Sequence, residues 1–120
     1  MIGINPQGEA HGYVAAVLNL YLQLPETPFK ASSNDRQTAA ALHARGVTLF
    51  VVESALMLAS VRRLGRSPDM PPLSSIRSLA YFLPVIQELL DNPIPEDYLG
   101  YLRMKVHSLS SRKDIRSKCG

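Results

Sequence analysis

Apolar side chains recur every three or four positions along most of this chain, and no stretch alternates polar with apolar over a strand's length, so the pattern predicts an all-α fold. A first helix from about Glu9 to Leu24 gathers Val14, Val17, Leu18, Tyr21 and Leu24 on one face, and Pro25 ends it. Pro25 to Ser33, with a second proline at Pro28, reads as an extended connector. Asn34 and Gln37 fit a capping box for a second helix, Asp35 to Arg45, which Gly46 stops. Thr48 then caps a third helix, Leu49 to Leu64, closed by Gly65. This third helix is apolar around nearly its whole circumference, which only a central position buries.

A proline-rich loop from Arg66 to Leu73 leads to Ser74 and Ser75, either of which fits as the cap of a fourth helix reaching about Asp91. Pro84 inside that helix removes an amide and crowds the carbonyl of Ala80, so a kink or a break into two shorter helices is expected there. Asn92-Pro93-Ile94-Pro95 stops the chain, and Pro95, Glu96 and Asp97 suit the first turn of a fifth helix. Tyr98, Leu99, Leu102, Val106 and Leu109 give it an apolar stripe, with fraying expected near Ser108 to Ser111. The expectation is a compact bundle of about five helices: one domain over 1–109, a tight helix-turn-helix-like hairpin at 35–64, a Pro84-kinked fourth helix, and a basic flexible tail over 110–120.

Length and composition agree with one domain, since 120 residues with 46% hydrophobic and 19% charged content supply a sizeable core. No apolar run approaches the roughly 18 residues of a membrane span, and Met1 to Gly12 lacks a basic stretch followed by an apolar one, so a cytoplasmic chain with no membrane partner is expected. The single cysteine, Cys119, excludes an internal disulfide and a cysteine-based zinc cage.

Charge changes the picture, because the net +3 is unevenly distributed. Residues 1–102 carry seven Lys and Arg against nine Asp and Glu, a balance of −2, while Arg103 to Gly120 carry six bases against Asp114 alone, a balance of +5. Such an end raises the local anion concentration within about 8 Å and suits phosphate backbones or acidic protein faces; it also suits a merely solvated tail. A second constellation is Arg62, Arg63 and Arg66 near the end of the third helix, with Arg77 one turn into the fourth, where amides at Ser75 and Ile76 would add positive potential. The competing account has Arg62 and Arg63 complementing the helix dipole or pairing with Asp69 and Glu53. An anion site requires these guanidiniums to gather on one face without being locked onto carboxylates.

Base readout by the third helix is disfavoured, because Leu49, Phe50, Val51 and Val52 offer nothing to base edges; the pair reads as a packed hairpin. Enzyme readings lack their constellations. His11, His43 and His107 are far apart, Cys119 has no orienting base, and no phosphate-binding glycine loop or Gly-x-Ser-x-Gly elbow occurs. Tyr81, Tyr98 and Tyr101 read as packing aromatics. No catalytic residue, metal ligand or cofactor is therefore assigned, and the chain reads as a non-enzyme. Phe82, Leu83 and Val85, with Met57 and Met70, belong either to the core or to a surface for a protein partner, and a homodimer built on the fourth or fifth helix is the simplest such assembly.

Five segments carry a resemblance: Tyr21-Leu22-Gln23-Leu24-Pro25-Glu26-Thr27-Pro28, Asp35-Arg36, Arg45-Gly46-Val47, the stretch through Arg62-Arg63, and Ile76-Arg77-Ser78-Leu79-Ala80-Tyr81-Phe82-Leu83-Pro84-Val85-Ile86. From about Tyr21 to Val106 the chain resembles small uncharacterised all-helical bacterial proteins associated with mobile-element and replication genes. The resemblance brings no activity and no catalytic residue; it implies a nucleic-acid partner by association alone. The resulting expectation is a non-catalytic accessory protein binding nucleic acid, DNA ahead of RNA, through phosphate contacts of Arg62, Arg63, Arg66, Arg77, Arg103, Lys105, Arg112, Lys113, Arg116 and Lys118. The alternative is a helical protein-interaction or dimerisation module.

Overall fold

The computed structural model describes residues 6–71 and 73–119, with side chains described over 10–71 and 73–111. It is all-helical: α1 (Pro6–Leu22), α2 (Ser33–Ala44), α3 (Leu49–Leu64), α4 (Leu83–Asp91) and α5 (Glu96–Cys119), with a short 3-10 turn, Leu79–Phe82, running into α4. The apolar circumference of α3 has the expected consequence, since α5, α4, α1 and the 3-10 turn all pack on it. α2 instead lies chiefly against α1 and the 3-10 turn. The two helices joined at Gly46 thus have different principal partners.

That connection is a helix stop built by Gly46, whose φ of 77° is left-handed. The Gly46 amide donates to the His43 carbonyl and the Val47 amide to the Leu42 carbonyl, which satisfies two open carbonyls at the end of α2. Thr48 caps α3 as the sequence predicts, its hydroxyl accepting from the Val51 amide. The Tyr13 hydroxyl donates to the Val47 carbonyl at 2.7 Å, and its ring lies 4.9 Å from that of His43, so α1 is fastened to this turn.

The start of α2 differs from the sequence reading. Ser32, not Asn34, is the cap, and Asp35, not Gln37, completes the box: the Ser32 hydroxyl accepts from the Asp35 amide while Asp35 Oδ2 accepts from the Ser32 amide. The second carboxylate oxygen, Oδ1, accepts from the Leu79 amide at 3.0 Å, which ties α2 to the 3-10 turn. Asp35 is thereby buried with both oxygens engaged. Nearby, burial and the Asp35 charge push the Tyr21 hydroxyl up to about 12, so Tyr21 stays neutral in the core.

The fourth helix is also shorter than predicted. Ser74 and Ser75 cap nothing; Ser78 does, accepting from the Ala80 amide at the 3-10 turn. The Ile76 amide, expected to be open at a helix start, donates to the Glu26 carbonyl at 2.9 Å. Pro84 stands in the first turn of α4, where its missing N–H would have had no intrahelical partner, so it begins that helix instead of kinking a longer one. Phe82 is fully buried, which removes it from the candidate partner surface, whereas Leu83 and Val85 are half-buried against the core. α5 continues past Ser108–Ser111, the stretch where fraying is expected, to Cys119. Its Leu99, Leu102 and Val106 are buried, whereas Tyr98, placed on the same stripe by the sequence, is 40% exposed.

Replacing Asp35 with Ala removes the cap and leaves the Leu79 amide without its acceptor. A loss of about 2–3 kcal/mol is expected in urea denaturation. Asp35→Asn, which keeps one acceptor oxygen, should lose roughly half as much.

Candidate functional site

The arginines singled out by the sequence fall into separate environments. Arg63 is 7% exposed, on the last turn of α3. Its guanidinium donates to Glu26 Oε1 through Nε at 3.1 Å and Nη2 at 2.8 Å, to the Ser74 carbonyl, and to the Tyr81 hydroxyl at 3.3 Å. It also lies 5.6 Å from the centre of the Tyr81 ring, within cation–π range. Burial works against its charge, but the Tyr81 hydroxyl and the Glu26 carboxylate more than offset that, and the guanidinium remains above its ordinary value. Arg63 is thus a structural clamp between α3 and both long connectors.

Arg62 points to α4, where it forms a two-pronged pair with Glu88 at 2.8 and 2.6 Å. Arg103 on α5 pairs in the same way with Glu53 on α3, both bonds at 2.7 Å. Arg62 and Arg103 thus staple α4 and α5 to the central helix. The pairing with Asp69 weighed from the sequence does not occur among the described residues, and Glu53 takes Arg103 instead of Arg62 or Arg63. Arg66 donates to the Pro71 carbonyl at 3.0 Å and meets no carboxylate among the described residues. Arg77 is exposed in an extended segment before the 3-10 turn, not one turn into a helix. Lys105 is half-buried on α5, and the side chains of Arg112, Lys113, Arg116 and Lys118 lie outside the described residues.

The structure brings three of these residues together: Arg62, Arg63 and Arg66 line one open concavity of about 280 Å³, with Ala59, Leu73, Tyr81 and Val85. Arg77 and Arg103 are not part of it. A second surface was missed from the sequence. Tyr98, Tyr101 and Met104 on successive turns of α5 are 40%, 45% and 61% exposed, and the two tyrosine rings stack with centres 5.5 Å apart. The signal available for it was their spacing, since residues three apart share a helix face, and Tyr101 and Met104 fall outside the stripe of Leu99, Leu102 and Val106.

No protein-family model, curated protein or solved structure matches this chain. Its chemistry therefore rests on its own residues. Among the described residues no three His, Cys, Asp or Glu side chains come together as a metal site, and no helix is long and apolar enough to cross a membrane. His11 and His107 are exposed, and His43 packs on Tyr13.

Arg63→Met removes the donor to the Ser74 carbonyl and the pair with the exposed Glu26 carboxylate, and a loss of about 1–3 kcal/mol is expected in urea denaturation. The exposed Arg62–Glu88 pair behaves differently. Arg62 holds the Glu88 carboxyl below its ordinary 4.5, so the pair's contribution is present above that pH and is lost as pH falls through the lower folded value. Arg62→Gln should flatten this acid limb in a comparison of stability against pH.

Proposed function

We propose that this chain is a non-catalytic helical interaction module that self-associates through α5. The observation that carries the reading is the exposed row of Tyr98, Tyr101 and Met104, large side chains held outward on a helix whose opposite stripe is anchored in the bundle. α3 is the principal packing partner of α5, so much of the circumference of α5 faces outward. At 24 residues α5 is about 36 Å long, enough for an extended helix-to-helix contact. It begins with Glu96 and Asp97, and the sequence places Arg112, Lys113, Arg116 and Lys118 towards its end. Antiparallel pairing about a twofold axis sets the acidic start of each helix against the basic end of the other.

Light scattering on the full chain tests this. A dimer is expected, converted to monomer by Tyr101→Glu with Met104→Glu while helical content holds and the melting temperature loses its dependence on protein concentration. A wild-type monomer throughout the micromolar range would refute it.

The charge of residues 103–120 favours a second reading, in which Lys105, Arg112, Lys113, Arg116 and Lys118 contact nucleic-acid phosphates, DNA ahead of RNA. Arg62, Arg63 and Arg103 are left out of it because each already holds a carboxylate. Titration of duplex and single-stranded DNA across salt concentration should show log affinity falling by about 0.9 per decade of salt for each phosphate contacted on a duplex. Truncation after Leu109, which removes four of these five bases, should lose most of the binding; no binding at low salt removes this reading.

A further inference from the structure

We infer that the concavity between α3, α4 and the connector after α3 is a binding site for a small organic monoanion, an acidic headgroup on a compact apolar body. Its walls supply the apolar part: Ala59, Leu73, Val85 and the ring of Tyr81. Its volume of about 280 Å³ lies at the small end of ligand pockets, which suits a single ring or a short branched chain. Its cations are not equivalent. Arg62 is neutralised by Glu88 and Arg63 by Glu26, whereas Arg66 gives one bond to the neutral Pro71 carbonyl. A guanidinium has five N–H donors, so Arg66 keeps donors for a two-pronged contact with a carboxylate or phosphate.

The charge balance supports one anion and no more. Three guanidiniums face two carboxylates, and the carbonyl end of α3 subtracts about half a charge from the remaining positive unit. Asp69, in the same loop as Arg66, forms no ion pair with it among the described residues. The Arg62–Glu88 and Arg63–Glu26 pairs fix two of the guanidiniums at the edge of the concavity. This site is separate from the α5 surface, and its failure would leave the self-association reading untouched.

The probes are benzoate, phenyl phosphate and neutral benzamide, titrated into the full chain and followed by the methyl resonances of Ala59, Leu73 and Val85. Benzoate should shift these signals saturably at millimolar concentration, and phenyl phosphate, close to a dianion at neutral pH, should bind more weakly because the site balances one negative charge. Benzamide should bind about tenfold more weakly than the better anion. Arg66→Gln should weaken that anion by about tenfold while the melting temperature stays unchanged, and Val85→Phe, which fills the concavity, should abolish binding. The inference is overturned if neither anion shifts the methyls, if benzamide binds equally well, or if Arg66→Gln binds as the wild type does.

Discussion

The non-helical parts of this fold depend on one buried guanidinium. Between α1 and α2, and again between α3 and the 3-10 turn, the chain crosses long segments that lack a helix's own hydrogen bonds. Arg63 reaches the first through Glu26, the second through the Ser74 carbonyl, and the 3-10 turn through Tyr81. Glu26 itself has a left-handed backbone, φ 68°, which costs a non-glycine residue about 1 kcal/mol. Its side chain holds Arg63 and its carbonyl accepts from the Ile76 amide, and these bonds offset that cost. A hydrophobic residue in place of Arg63 would be easier to desolvate, but it would reach none of these polar groups.

Helix positions were legible in the sequence because they follow from period and punctuation. The central role of α3 follows from its apolar circumference, its start from Thr48, and the end of α2 from Gly46. Polar connections over long separations were not legible. The choice of Ser32 and Asp35 over Asn34 and Gln37 depends on the Leu79 amide, which lies far along the chain and rewards a carboxylate at position 35 specifically. Pro84 is equally at home inside a kinked helix or at the start of a shorter one, and only the docking of Leu79–Phe82 decides between them.

The same limit governs the arginines. Their clustering near the end of α3 was visible as composition, and Arg62, Arg63 and Arg66 do line one concavity. What composition could not show is that Glu88, Glu26 and Glu53, each at least 26 positions from its partner, would take Arg62, Arg63 and Arg103. A formal surplus of positive charge thus became two staples on α3 and one internal clamp. On α5 the error ran the other way: Tyr98 was assigned to the core stripe, yet its ring stacks on Tyr101 in the open.

The bond between the Ile76 amide and the Glu26 carbonyl closes a chain segment of about 50 residues. Helices of the length of α2 and α3 nucleate within about a microsecond, far faster than contacts that must enclose so much chain. The Arg103–Glu53 pair encloses an equal length, so both closures wait on the individual helices.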